Sequence, residues 1–137
     1  MSSKEFDMFR LLVSGSRDWS DVEVIATELQ FVAKKYKNVV LVSGHAIGAD
    51  RIAELIAVDL GWVIEIHEPD WTLHGKSAGF KRNTTMLDTD VQAVLAFHKD
   101  NSKGTADTIK KAKERKIPTR VLIEETPQWM ADWAVQV

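Results

Sequence analysis

The sequence predicts an α/β domain, a parallel β-sheet covered by helices on both faces, and three observations carry that expectation. Apolar runs of strand length alternate with helix-patterned segments along the 137 residues, the order that builds parallel sheets through βαβ crossovers. The first two runs are apolar almost throughout, as strands buried on both faces are. A strand-to-turn phrase also occurs twice. Leu11-Leu12-Val13-Ser14-Gly15 leads into Ser16-Arg17-Asp18-Trp19, and Val40-Leu41-Val42-Ser43-Gly44 leads into His45-Ala46-Ile47-Gly48-Ala49-Asp50. In an open parallel sheet such turns gather at the carboxyl ends of adjacent strands, where ligands bind.

Phe9 to Val13 reads as the first strand. Ser20-Asp21-Val22-Glu23 has the form of a capping box, with a hydroxyl cap followed three positions later by a carboxylate. The helix it opens sets Val22, Ile25, Leu29, Val32 and Tyr36 at spacings of three and four, one apolar stripe. Lys34, Lys35 and Lys37 near its end suit the negative pole of the helix dipole. Val39 to Val42 is the second buried strand. A helix over Ala49–Leu60 turns Ile52, Ile56 and Leu60 inward and stops at Gly61 as its C-cap.

Trp62 to His67 is the third strand, and its alternation of Ile64 and Ile66 with Glu65 and His67 suits a half-exposed sheet edge. Glu68-Pro69-Asp70-Trp71 ends it, and the chain through Gly75 reads as loop. Lys76 to Asp88 is helix-like but weakly patterned, with Gly79 interrupting it. Val91 to Phe97 is a fourth strand, followed by a polar loop from His98 to Lys103. A helix over Thr105–Arg115 points Ile109 and Ala112 inward, and Pro118 prevents its continuation. Thr119 to Ile123 is a fifth strand. Thr126-Pro127 then reads as N-cap and first helical residue of a short C-terminal helix. Its apolar face of Trp129, Met130 and Trp133 suits either packing against the sheet or a contact in a homo-oligomer.

Composition narrows the function classes. The length fits one domain, and 45% hydrophobic with 28% charged residues is an ordinary globular balance. No apolar stretch approaches the roughly 20 residues that span a bilayer, the N-terminus has no secretory h-region, and cysteine is absent. These features predict a cytoplasmic protein with no membrane partner and exclude disulfide and thiolate chemistry. A formal net charge of −2 gives no global attraction to nucleic acid, which is therefore not expected as a partner.

Five ordered motifs resemble those of the SLOG superfamily. They are Gly15-Ser16-Arg17-Asp18-Trp19; Ser43 through Asp50; Asp70-Trp71 with Gly75-Lys76; Ala78-Gly79 with Arg82-Asn83 and Met86; and Ser102-Lys103-Gly104-Thr105. The match in order and spacing runs from about residue 10 to 123 and is nearest to a small branch common in bacteria and their phages. The resemblance implies a Rossmann-like three-layer sandwich of about five parallel strands in the order 3-2-1-4-5, which the edge-like third strand supports. It also implies a nucleotide or nucleotide-derived ligand. Better-known relatives are the "lonely guy" phosphoribohydrolases and the DNA-processing protein of natural transformation.

The residues give a compatible reading on their own chemistry. Gly44 and Gly48 bracket a loop that opens a helix; either Gly48, Ala49 and Asp50 offer N–H groups to a phosphate, or the glycines serve a tight turn and close helix packing. Asp50 either complements the helix dipole or bonds a ribose hydroxyl or an amine. Gly15, Ser16 and Ser43 stand in the two strand-end turns. Arg17, Lys76 and Arg82 are candidate phosphate or base cations, with Asn83 beside Arg82 on one helix face. Trp19 and Trp71 lie in strand-end loops, where they either pack in the core or form a stacking wall for a base. Ser102, Gly104 and Thr105 form another loop before a helix, able to hold a second phosphate or a ribose.

No metal or cofactor is expected, because His45, His67, His74 and His98 lack metal-ligand spacing and no Walker or Gly-x-Gly-x-x-Gly loop occurs. The phosphoribohydrolases carry a Pro-Gly-Gly-x-Gly-Thr loop and then a catalytic Glu; here the loop is Asp100-Asn101-Ser102-Lys103-Gly104-Thr105, and Thr108 stands at the Glu position. Ser43-Gly44-His45 likewise replaces their Gly-Gly-Gly. A hydroxyl without a nearby base moves no proton effectively at neutral pH. The expectation is therefore a binding domain, a sensor or scavenger of a phosphorylated nucleotide derivative, without efficient turnover. An N-glycosidic hydrolase is the alternative, with Asp50, Glu68 and Asp107 as substitute carboxylates, and a single-stranded DNA binder is the third reading.

Overall fold

A computed structural model of the chain describes residues 8–125 together with Trp129 and Met130. The elements follow as β1 (Phe9–Gly15), α1 (Val22–Lys35), β2 (Val39–Ser43), α2 (Ala49–Asp59) and β3 (Val63–Ile66). After them come α3 (Trp71–His74), a 3₁₀ turn (Gly75–Ser77), α4 (Ala78–Leu87), β4 (Ala93–Lys99), α5 (Lys103–Glu114) and β5 (Thr119–Glu124). The five strands are all parallel in the order β3-β2-β1-β4-β5. This is the Rossmann-like α/β sandwich that the sequence predicts.

Alternation along β1 divides the core between the two faces of the sheet. Leu11 and Val13 join Leu41, Ile25, Leu29, Ala53 and Ala57 under α1 and α2. Leu12 joins Val40, Val42 and Val94 under Met86, Leu87 and Ala112 of α4 and α5. Strand order reverses between β1 and its neighbours β2 and β4, so the chain leaves those strands toward opposite faces and a crevice opens at their carboxyl ends. β3 lies at the sheet edge; Ile64 packs on the α1/α2-side core, while Ile66, further along the same face, is exposed.

The ends of β1 and β4 and the start of α2 are tied together at Ser16. Its N–H donates to Phe97 O (2.9 Å), and its carbonyl accepts from Trp19 N–H and Ala49 N–H (both 3.2 Å). Its hydroxyl accepts from Lys99 N–H (2.8 Å) and donates to Lys99 O (3.3 Å). Gly48 makes this approach possible, since its φ is +95° and an added Cβ would lie 2.3 Å from Arg17 O.

Local chemistry moves some boundaries. The N-cap of α1 is Asp21, whose carboxylate accepts from Val24 N–H, because the Ser20 hydroxyl is engaged by Glu124 at the end of β5. Residues 71–74, read as loop, form one helical turn capped by Asp70 on Leu73 N–H (3.0 Å). α5 starts at Lys103, two residues earlier than its apolar pattern, because Ser102 serves as N-cap. In the C-terminal segment Trp129 and Met130 are helical and exposed; Thr126, Pro127 and Trp133 lie outside the described residues. Among the described residues no helix is long and apolar enough to cross a membrane.

Replacing Gly48 by Ala should lower stability by about 1–3 kcal/mol, from a left-handed backbone and a clash with a carbonyl. Gly104→Ala, where an added Cβ meets nothing within 4 Å, should be neutral or stabilising. Urea unfolding of the two variants checks this, and equal midpoints would contradict it.

Candidate functional site

Two β-α turns form the floor of the crevice, which is a cavity of about 660 Å³. Ser14, Gly15, Gly44 and Asp50 lie at its base. Asp50, in the first turn of α2, is buried and holds both turns. One oxygen accepts from Gly15 N–H (3.1 Å) and the other from Ala46 N–H (3.2 Å). Burial pushes its carboxyl up to about 7, against the pull of the Ala46 and Gly15 amides and of Arg82.

Arg82 reaches this floor from α4. Its Nη1 donates to Gly44 O (2.6 Å) and its Nε to Asn83 Oδ1 (3.0 Å). A Cβ at Gly44 would lie 2.5 Å from Arg82 Nη1, so a larger residue there would push the guanidinium off this carbonyl. Burial lowers the Arg82 pKa, Asp50 opposes that shift, and neighbouring Arg17 adds to it. Two guanidiniums thus stand close together over the strand ends. The Arg17 side chain is exposed and makes no hydrogen bond among the described residues. Asn83 is buried and ties α4 to α5 through Gly104 O (3.3 Å) and Asp107 Oδ2 (3.1 Å).

The rest of the lining is largely apolar. Ile47, Pro69, Trp71, Phe80 and Met86 contribute to it, and Trp71 and Phe80 keep 52% and 42% of their surface open. Ser102, Gly104 and Thr105 close the α5 side, with Lys76 and Arg51 at the rim.

Of the residues singled out from sequence, Gly15, Arg17, Gly44, Asp50, Trp71, Lys76, Arg82, Asn83, Ser102, Gly104 and Thr105 line this cavity. The other five build it from behind. Trp19 is core, edge-on to Phe97 with centroids 5.3 Å apart, and its indole N–H is satisfied by Asp21 O (2.8 Å). Ser43 donates to Glu54 (2.7 Å). Ser16 and Gly48 form the clasp described above, and the Ala49 N–H at the start of α2 is taken by the Ser16 carbonyl. Thr108 is fully buried, between Ser14 Oγ and Gly104 O (both 3.3 Å).

Sequence reasoning missed two features. Phe80 sits between candidate cations with no aromatic spacing to mark it. His45 lines the cavity, and its Nδ1 lies 2.7 Å from Glu54 Oε1. The eight residues between them cross from a loop onto a helix, so no helical spacing joins them. Among the described residues no group of three or more His, Asp or Glu is placed to hold a metal ion.

Comparisons with known proteins agree with this geometry. The sequence model of YAcAr, the YspA, cpYpsA-related SLOG family, matches residues 9–74. The chain is 36% identical over 120 residues to the Gene 61 protein of Mycobacterium phage D29, covering 81% of this chain and 94% of that protein. Its fold is similar to that of DNA processing protein A from Helicobacter pylori, described for its single-stranded DNA binding mode. The TM-score is 0.65 at 18% identity, over 90% of this chain and 69% of that one. DNA processing protein A from Streptococcus pneumoniae gives the same TM-score and identity, over 88% of this chain and 52% of that one. At 18% identity these two are likenesses of fold.

They nevertheless correct one expectation. Nucleic acid does not stand excluded as a partner, since the Helicobacter pylori protein binds single-stranded DNA on this fold. The exclusion rested on net charge, which averages over the whole surface. It does not register Arg17, Arg51, Lys76 and Arg82 gathered on one cavity beside Trp71 and Phe80.

The Asp50 shift has a measurable sign. The folded protein keeps a proton that the unfolded chain releases near pH 4, so this contribution to stability is complete at acid pH. It is lost as pH rises toward and through about 7, by at most about 1.4 kcal/mol per pH unit. Between pH 5 and 8 wild type should therefore lose stability relative to Asp50→Asn. Parallel urea-unfolding curves for the two proteins would contradict the shift.

Proposed function

Because the chain belongs to the YspA, cpYpsA-related SLOG family, we propose that its strand-end cavity binds a phosphorylated nucleotide or a nucleotide-derived molecule. The observation that carries this reading is the presence of Arg17 and Arg82 together at the strand ends, in a cavity that Trp71 and Phe80 also line. Guanidiniums recognise phosphate oxygens through charge-assisted, often bidentate hydrogen bonds, and exposed indole and phenyl faces stack on a base. A cavity of about 660 Å³ is within the usual size for such ligands. Ser102, Gly104 and Thr105, opening α5, take the ribose or a second phosphate in this reading. The protein acts as a sensor or scavenger of its ligand.

A second reading has a specific observation behind it. The Helicobacter pylori neighbour binds single-stranded DNA, and the same cations and aromatic rings suit one nucleotide unit of a strand. The two readings differ in what extends beyond the cavity, which ligand length resolves.

Thermal-shift screening against mononucleotides, dinucleotides and short oligonucleotides tests both. A ligand at 100 times its Kd should stabilise the protein by about 2.7 kcal/mol. Affinity that is already full with a mononucleotide supports the first reading, and affinity that climbs with strand length supports the second. Arg17→Ala should weaken binding by about 1.5–3 kcal/mol, and Trp71→Ala by about 1–3 kcal/mol, by titration calorimetry. Wild-type affinity in both variants, or no stabilisation by any probe, would overturn the assignment.

A further inference from the structure

We propose that the cavity is also a hydrolytic centre, in which His45 activates a water molecule and Asp50 protonates the leaving oxygen of a bound phosphomonoester. The proposal rests on the nucleotide-binding reading for its substrate and on separate geometry for its chemistry. His45 heads the loop from β2 to α2 with a φ of 58°, and its backbone N–H is held by Ser43 Oγ (3.1 Å). Glu54 is 8% exposed and has no Lys or Arg partner among the described residues. Its two oxygens go to Ser43 Oγ (2.7 Å) and His45 Nδ1 (2.7 Å). Packing gives no reason to bury a carboxylate there, since an apolar side chain would fill α2 without the desolvation cost.

What the arrangement does is orient an imidazole. The Ser43 hydroxyl donates to Glu54, so Glu54 is an acceptor and Nδ1 carries the proton on that side; in the neutral imidazole Nε2 then presents the lone pair. No described residue bonds Nε2, and His45 lines the cavity. Asp50 lies at the floor of the same cavity, one turn further along the chain. Its carboxyl feels Arg82, which opposes protonation, and Glu54, which favours it, so a phosphate on Arg82 lies near it and Glu54→Gln should also move the pH at which kcat falls downward. The raised pKa of Asp50, about 7, keeps a large share of its carboxyl protonated near neutrality. His45 and Asp50 therefore line the same cavity as the two guanidiniums.

The step balances without a further reactant. Water oxygen bonds to phosphorus as its proton passes to His45 Nε2, the bond from phosphorus to the ester oxygen breaks, and Asp50 gives that oxygen its proton. The products are inorganic phosphate and an alcohol, here the nucleoside. Solvent then takes the proton from the imidazolium and returns one to Asp50. Glu54 and Ser43 are positioning residues. This differs from glycosidic cleavage, for which position 108 supplies only a hydroxyl enclosed by Ser14 and Gly104.

The test incubates the protein with nucleoside 5′-monophosphates that bind it, measuring inorganic phosphate, nucleoside and free base by mass spectrometry. Equal amounts of phosphate and nucleoside are expected, with solvent ¹⁸O in the phosphate. His45→Ala should lower kcat by about 10²–10⁴-fold with its nucleotide affinity kept, and added imidazole should restore part of the rate. Glu54→Gln should lower kcat with little change in KM, and kcat should fall as pH rises above about 7. Its unfolding midpoint and affinity show whether each variant is folded. Bound nucleotide with no phosphate release, release unaffected by His45→Ala, or free base as the product would overturn this proposal while the binding function stands. No nucleotide binding would overturn both.

Discussion

The cavity depends on the polar groups of Ser16 being used up inside the protein. The ends of β1 and β4 and the start of α2 share no loop, yet they meet at this one buried residue, through the amide to Phe97, the carbonyl to Ala49 and the hydroxyl to Lys99. Each such bond is worth about 0.5–1.5 kcal/mol net, and a buried group left unpaired costs about 1–3 kcal/mol. The loops are therefore fixed relative to one another by a network that tolerates little rearrangement. Asp50 adds a second tie between the β1 and β2 turns a few ångströms away. A site whose walls come from separate loops needs such bracing, because recognition is lost when facing groups drift by about an ångström.

Asp50 and Arg82 show how electrostatics is divided in so small a space. They interact without forming a direct ion pair: Asp50 spends its oxygens on amides, and Arg82 spends Nη1 on the Gly44 carbonyl and Nε on Asn83. Burial disfavours charge on both, which raises the carboxyl and lowers the guanidinium. The positive field of Arg17 and Arg82 is consequently not neutralised by a carboxylate locked onto it. A bound anion would meet two guanidiniums and a carboxyl that neutralises itself by taking a proton.

Much of the fold was legible because it rests on patterns local to the chain. Apolar runs marked every strand, and the half-exposed alternation from Ile64 to His67 placed β3 at an edge. Competition between distant groups was not legible. Ser20 has the spacing of a cap, but Glu124, 104 residues away, captures its hydroxyl and Asp21 caps instead. Trp19 and Trp71 look alike as loop tryptophans; Phe97 behind Trp19 puts one in the core, and a solvent-facing helical turn leaves the other on the cavity wall. The Glu54–His45 contact joins a helix to a loop of unusual backbone, which residue spacing does not encode.

Gly48 carries the most general lesson. A glycine at the start of a helix after a strand suggests a phosphate resting on free amides. Here its missing side chain admits the protein's own chain, with Arg17 O and Ser16 O lying where a Cβ would stand. The Ser16 carbonyl, a partial negative charge, takes the first amide of α2 and so occupies part of the place a phosphate would fill. Anion recognition at this end of the crevice then falls to side chains, Arg17 and Arg82, rather than to backbone. A backbone cradle recognises any phosphate of the right size, whereas guanidiniums impose direction and planar, paired hydrogen bonds. The site's selectivity therefore lies in residues that can change without disturbing the clasp beneath them.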